Sequence, residues 1–279
     1  MQQSAGVGSV VLSAAEAGEL SPGVEVGDVL GATFHTRDGH CTPEAVVQGY
    51  ARAARRHGAT VLTGVEATDV QVEGGEVCGV VTSAGTVAAP AVVCAAGVWS
   101  RGVAASAGVD LPVAPLRCQI LVTEPLPDPL PGLFSDRMPM TIDAATTFYL
   151  HREGPGLLVG MSYAAEQPGF RDGYDETWLP DLLAAMERRA PAVLDLGIAH
   201  RWAGYYEVTP DHNAIIGESP TVSRFLYATG FSGHGFLMGP AVGEVVRDLY
   251  LGQEPVVDVS SLTADRFATG ARVVERGIV

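Results

Sequence analysis

The chain has no apolar run of about 18 residues, the length that a membrane-spanning helix needs. Its opening, MQQSAGVGSVVLSAAEAGEL, carries no basic stretch ahead of an apolar one, so no signal peptide is read there. The expectation is a cytoplasmic protein with no membrane partner. Basic residues are scarce: 17 Lys and Arg stand against 32 Asp and Glu, for a formal charge of −15. No Lys/Arg cluster offers nucleic acid a surface, so no nucleic-acid partner is expected. Cys41, Cys78, Cys94 and Cys118 are dispersed singly without CxxC spacing, which argues against both a zinc site and a disulfide framework. They read as buried, reduced thiols, and no metal is expected. Internal repeats and low-complexity tracts are lacking too.

What the chain does have is size and glycine. With 279 residues, 47% of them hydrophobic, it can bury a large core in one or two domains. The densest chemistry lies from Phe225 to Leu251, FLYATGFSGHGFLMGPAVGEVVRDLYL. Phe225 to Thr229 is an apolar run without alternation, as in a strand covered on both faces. Gly230, Gly233, Gly235 and Gly239 punctuate the following turn and allow close approach to the backbone. Pro240 suits the first turn of a helix with an apolar stripe from Ala241 to Tyr250. The free N–H groups expected at Gly239 to Val242 would favour a partly anionic ligand. Four glycines with Ser232 and His234 among them favour a ligand site over a merely tight turn.

Earlier in the chain, Gly6-Val7-Gly8 imitates the start of a dinucleotide fingerprint but has neither a preceding strand nor the third glycine. Ser13 with Glu16 forms a capping box for a short helix ending near Gly18. Strands and turns from Val24 to Thr42 carry His35, Arg37, Asp38 and His40. Thr42 suits an N-cap and Pro43 the next position of a helix with Val46, Val47, Tyr50, Ala53 and Ala54 as its apolar face, stopped by Gly58. Ala59 to Leu62 reads as a short buried strand. Gly64 to Ser83 reads as two strands around the turn Glu73-Gly74-Gly75-Glu76. Ala91 to Ala95 is a strand running into AAGVWS. Pro125 to Pro131 is a crossing between layers, and Asp175 to Arg189 a covering helix ended by Pro191, with Trp178 packed beneath it.

This order of elements, with DGHCTPEAVVQGYARAARRHGA, VVCAAGVWS, FYLHREGPGLLVGM, WAGYYEVTPDHNAIIGE and ATGFSGHGFLMGP, resembles the FAD-dependent amine and amino-acid oxidoreductases that include D-amino-acid oxidase, glycine oxidase and sarcosine oxidase. Within that family it is most similar to the sarcosine oxidase beta-subunit and dimethylglycine dehydrogenase branch. The resemblance implies an α/β (α+β) fold. An FAD-binding Rossmann-like domain would occupy 1–112 and 210–279, with a substrate domain of mixed or antiparallel sheet at 113–209. The family's N-terminal strand, GxGxxG and helix have no counterpart here. Hence two readings stand: a FAD-dependent oxidoreductase of a small secondary or tertiary amine or amino acid such as sarcosine, dimethylglycine, proline or glycine, or a truncated or non-catalytic remnant or subunit that needs a partner segment to hold FAD.

Carried over residue by residue, the resemblance puts Val65 at the adenine, and Ala96, Gly97 and Trp99 near the pyrophosphate and ribityl chain. Gly230, Ser232, Gly233, His234, Gly235, Phe236 and Leu237 would line the flavin ring. Tyr149 is either substrate-facing or a core tyrosine. Tyr149, His151 and His234 are the catalytic candidates, with Arg152 a candidate carboxylate anchor, Tyr205 or Tyr206 a pocket roof, and Asp211 a loop cap near His212. Ala203 stands where some relatives tether flavin through cysteine, which implies non-covalent FAD. Leu237 and Leu158 stand where relatives have lysines, the second credited with oxygen activation, which implies a dehydrogenase with a separate electron acceptor. Without the first unit, the strands at Ala91 to Ala95 and Phe225 to Thr229 would each lack a neighbour or a covering face, and the chain is expected to be poorly soluble or to self-associate.

Overall fold

A computed structural model describes residues 3–128, 130–270 and 274. Pro129, within the expected proline crossing, lies outside them. Strands β1 (Val10–Leu12) and β2 (Ala32–Phe34) pair antiparallel around helix α1 (Ala14–Leu20). The Ser13–Glu16 capping box forms as expected, but the helix continues past Gly18. Helix α2 (Pro43–Arg56) begins after Thr42, whose side chain makes no cap bond, and ends before Gly58 at φ +90°.

Strands β3 (Ala67–Glu73), β4 (Glu76–Thr82) and β5 (Gly85–Ala88) form an antiparallel meander, with Gly74 and Gly75 at positive φ in the predicted turn. After β6 (Val92–Cys94) comes helix α3 (Ser100–Ser106). The chain then enters β7 (Ala114–Thr123), α4 (Leu130–Leu133), β8 (Thr141–Ile142), β9 (Tyr149–Glu153), β10 (Gly156–Gly160), α5 (Leu179–Arg189) and β11 (Ile198–Val208). It returns through β12 (Ile215–Glu218) and β13 (Phe225–Thr229) to helix α6 (Gly235–Leu251) and the short α7 (Arg266–Thr269).

Two sheets position the site. One has five antiparallel strands in the order β11-β7-β10-β9-β8; the other runs β12-β13-β6, with β13 parallel to β6. Every residue of β13 is buried, because neighbours enter opposite cores. Phe225 and Tyr227 join Val70, Leu111 and Val113 on the meander side, whereas Val245 of α6 packs with Ile216 of β12 on the other. The five-stranded sheet has its own core, where Leu150, Leu157 and Val159 meet Phe134, Trp178, Leu182 and Met186. Trp178 is fully buried packing, as expected, although α5 begins only at Leu179 rather than Asp175.

Several expectations fail, and they fail together. Ala59 to Leu62 is not a strand: an extended segment needs a ladder partner, none of the described residues supplies one, and Leu62 is exposed. The apolar face of α2 is uncovered, with Val47 at 55% and Tyr50 at 58% exposure. Phe225–Thr229 does have neighbours on both sides, β12 and β6, contrary to expectation. Among the described residues β6 pairs only with β13, and Val93 is 43% exposed beside its free edge. Of the four free cysteines only Cys94 is buried, and Cys41 is exposed.

A parallel edge strand with open hydrogen-bonding groups templates association. The purified chain is expected to sediment as a mixture of monomer and larger species. Val93→Lys should reduce the association, and a monodisperse monomer at all concentrations would contradict this.

Candidate functional site

β6 and β13 end side by side, and a polar cluster ties their ends together. Thr229 Oγ1 lies 2.8 Å from Glu207 Oε2, 2.8 Å from Ser100 Oγ and 3.2 Å from the Gly97 carbonyl. The Phe231 amide points to Glu207 Oε1 at 3.4 Å, and the Ser232 amide donates to the Glu207 carbonyl at 3.1 Å. One glutamate on β11 thereby holds both cofactor-type turns. Gly97, Gly230 and Gly233 all have positive φ, and a Cβ on Gly233 would lie 2.8 Å from the Tyr206 ring. Ser232 is fully buried at φ +51°, a left-handed conformation that costs a non-glycine residue roughly 1–3 kcal/mol and persists because its neighbours fix it.

Helix α6 starts at Gly235, earlier than its proline indicated. His234 is the N-cap, and Pro240 falls inside the helix, where it leaves the Phe236 carbonyl without its usual donor. The amides of Gly235, Phe236 and Leu237, not those of Gly239 to Val242, therefore stand at the positive end of the helix dipole. Beside them is a cavity of about 270 Å³ lined by His212, Asn213, Phe231, His234, Leu237 and Met238. His212 sits at φ +61° there, and its Nδ1 is buried without a hydrogen-bond partner. Asp211 is more than a loop cap. It takes a two-pronged ion pair from Arg266 of α7 at 2.8 and 2.9 Å, which holds its carboxyl below the usual range against the opposing effect of burial.

Free amides at a dipole end, the exposed Phe236 and Leu237 side chains (50% and 72%), and an orphaned imidazole nitrogen suit the ring of a flavin, a flat apolar body with a polar edge. The wall facing this turn is one surface of the five-stranded sheet. Register places Tyr149 and His151 of β9, Leu158 and Gly160 of β10, Cys118 and Ile120 of β7, and Gly204 and Tyr206 of β11 on that surface. The Tyr149 ring lies across Gly160, where a Cβ would meet its hydroxyl at 2.3 Å.

Burial pushes the Tyr149 hydroxyl above its ordinary range, with the Tyr206 hydroxyl and Cys118 thiol adding to the effect. The same cause lifts both Tyr206 and Cys118 to about 12. These groups stay protonated at neutral pH, as hydrogen-bond donors.

Other candidates are placed differently. Arg152 is on the opposite surface, paired with Asp136 at 3.1 Å, so it cannot anchor a substrate beside Tyr149. Ala203 also faces that way; Gly204, opposite Cys118, is the residue turned to the turn. Tyr205 is beneath the sheet rather than on the roof. Its hydroxyl accepts from the Arg171 amide at 2.7 Å and its ring meets Phe170, which in turn stacks on Trp99. Trp99 is 64% exposed and borders a separate cavity of about 520 Å³ with Arg101, Val113, Pro115 and Phe170. Val65 is half-buried in the loop before β3, and no described hydrogen bond or ring contact joins it to the glycine turn. Sequence reasoning missed Glu207, Ser100, Thr229 and Cys118. Alternation along β7 and β11 was the one signal that could have found Cys118.

Paired strand ends feeding glycine turns, set against an antiparallel sheet with half-buried tyrosines, make a cleft of the kind that holds a nucleotide cofactor. The chain belongs to the DAO family of FAD dependent oxidoreductases, which matches residues 1–249. It is similar to mitochondrial sarcosine dehydrogenase of Homo sapiens, at 30% identity over 276 residues, covering 94% of this chain and 29% of that protein. Glycine oxidase of Bacillus licheniformis is 31% identical over 247 residues, covering 86% of this chain and 62% of the enzyme. L-proline dehydrogenase from P. horikoshii superposes with a TM-score of 0.88 at 30% identity, over 96% of this chain and 71% of that one. The chain thus spans less than a third of the length of the human relative. Among the described residues no helix is long and apolar enough to cross a membrane.

Raised values for Cys118 and Tyr206, above 9.0 and 10.0, mean that both groups contribute stability that is complete below pH about 9 and lost as pH climbs toward about 12. Alkaline denaturation monitored by circular dichroism should show that loss, and Tyr206→Phe should reduce it. A stability curve flat from pH 8 to 12 would contradict the burial of these groups.

Proposed function

We propose that the chain is the flavin-ring and substrate portion of a FAD-dependent dehydrogenase that oxidises the C–N bond of a small secondary or tertiary amine or amino acid. Sarcosine, dimethylglycine, proline and glycine-like compounds are the substrate class. The observation that carries this reading is the approach of the Gly233 turn, just before the free Gly235–Leu237 amides, to Tyr206, which shares one sheet surface with Tyr149.

FAD, held non-covalently along the Gly230–Leu237 turn, would supply a two-electron acceptor for hydride from the carbon beside the nitrogen. The α6 amides stabilise negative charge on the ring edge. The neutral Tyr149 and Tyr206 hydroxyls orient the amine, and the apolar Leu158 and Ile120 exclude water and favour the uncharged, reactive amine. His234, at the N-cap, borders the cavity where the ring edge would lie. The oxidised substrate is an iminium, which water hydrolyses. Residues 1–112 and 210–279 serve the cofactor and 113–209 the substrate, in a cytoplasmic protein.

Leu158 puts no cation on the substrate surface, and the chain has no lysine anywhere, so superoxide formation gains no positive partner of that kind. This supports a dehydrogenase with a separate acceptor. The free edge of β6 and the bare face of α2 support a second element of the reading: a strand-helix segment from a partner subunit or longer chain docks there and grips the pyrophosphate.

The purified chain should take up FAD weakly, and supplying a GxGxxG-bearing βαβ segment should bring out a bound-flavin spectrum. Sarcosine or proline should then bleach the flavin anaerobically, with faster recovery from an artificial acceptor than from air. A flavin spectrum absent under both conditions would sink the proposal, and rapid reoxidation in air would refute the dehydrogenase assignment.

A further inference from the structure

A glycine inside a strand packs nothing and weakens the ladder, so it marks a place where another group comes close. Gly160 closes β10 and is buried, with Tyr149 of β9 opposite it on one side and Ile120 of β7 on the other. Its φ lies outside the left-handed region, so the backbone does not require glycine there. The space above it does. A Cβ at this position would overlap the hydroxyl and Cζ of Tyr149 and come within 2.9 Å of Ile120 Cγ2. The backbone is held against giving way, because Gly160 is in register with both neighbouring strands and the Ser162 amide just beyond it donates to Thr147 Oγ1 at 3.0 Å. The missing side chain is therefore the seat on which the Tyr149 ring lies.

The seated ring ends in an uncommitted hydroxyl. Tyr149 makes no hydrogen bond among the described residues, although burial keeps the group protonated, and the Tyr206 hydroxyl and Cys118 thiol are near enough to add to that effect. Tyr206 likewise donates to no described residue. Its ring rests on a glycine too: a Cβ on Gly233 would stand 2.8 Å from its Cε2. One tyrosine is thus seated on the sheet and the other against the glycine turn, and their hydroxyls belong to one sheet surface. Gly233, at φ +96°, is needed by its own backbone as well, whereas Gly160 serves the ring alone.

We propose that Gly160 is a positioning residue for amine oxidation, whose missing side chain seats the Tyr149 ring on the sheet and so presents an unpartnered hydroxyl to the substrate nitrogen beside Tyr206. A methyl group on residue 160 must displace the ring tip by about 1 Å or more to restore ordinary contact. The ring tip is the end free to move, so the fold survives and the hydroxyl leaves its place. A displacement of that size costs roughly a hundredfold in rate. The use of the hydroxyl rests on the amine-oxidation reading, but the seat itself does not.

The first test needs no flavin. In the chain alone, Gly160→Ala should lift the ring into water and bring one tyrosine back toward the ordinary value of about 10, so that tyrosinate absorbance rises at lower pH. In a Tyr149→Phe background the same substitution should leave the titration unchanged, which assigns the signal to Tyr149. Thermal midpoints should follow: Gly160→Ala lowers the midpoint in the wild-type chain, and lowers it far less in Tyr149→Ala, where the methyl has room.

The second test reads anaerobic flavin reduction in the FAD-loaded protein by whichever of sarcosine, dimethylglycine and proline reduces it fastest. Gly160→Ala should slow reduction about a hundredfold, and the double variant Tyr149→Ala with Gly160→Ala should be no slower than Tyr149→Ala. Wild-type reduction rates in Gly160→Ala, additive losses in the double variant, or a tyrosine titration that Gly160→Ala leaves unmoved would each overturn the proposal. A titration that shifts as expected in a protein whose flavin no amine reduces would leave the seat standing and refute amine oxidation alone.

Discussion

The Thr229 hydroxyl, shared among Glu207, Ser100 and the Gly97 carbonyl, is the interaction on which the site depends. β6 and β13 are parallel, and their mutual ladder ends at Cys94 and Tyr227, two residues before Thr229. Without a partner at that point, two glycine turns would diverge into solvent. Glu207 supplies the partner from β11, a strand of the other sheet, and takes the Phe231 amide as well. The two glycine turns and the Tyr149 surface of the sheet are therefore built to one reference. Removing this half-buried acceptor leaves the buried Thr229 hydroxyl with one partner fewer, at a cost of up to about 1–3 kcal/mol, and the turns would lose their geometry before the cores lose their packing.

The chemistry of the cleft follows from what burial does to ionisable groups. Tyr149, Tyr206 and Cys118 share one surface and each is held protonated by the loss of water. A chamber of neutral donors suits an uncharged amine. The helix end across from it supplies positive potential through amides alone, since the residue after Phe236 is the exposed Leu237.

Much of this was legible in the sequence. The apolar run at Phe225 and the glycines after it marked a buried strand and a glycine turn, and the structure has both. Motif spacing identified the family even without its fingerprint. Helix limits were less legible: Pro240 pointed to a start five residues late, because the helix tolerates one missing N–H in exchange for amides exposed at Gly235. Ala203 was misplaced because motif matching fixes position along a strand but not the side to which it turns. Glu207 escaped notice, since its role exists only through contacts with residues 22 or more positions distant. Ala59 to Leu62 has strand composition but no ladder partner, and composition alone cannot supply one.

The central claim is that the amides opening α6 face the flavin ring. Amide resonances followed while a flavin is titrated into the isotopically labelled chain test it most directly. Gly235, Phe236 and Leu237 should shift first and furthest, together with Gly230 and Gly233, while α2 and the β3–β5 meander stay still. Shifts confined to Trp99, Arg101 and Phe170 around the other cavity, with the Gly235–Leu237 amides unmoved, would contradict the account.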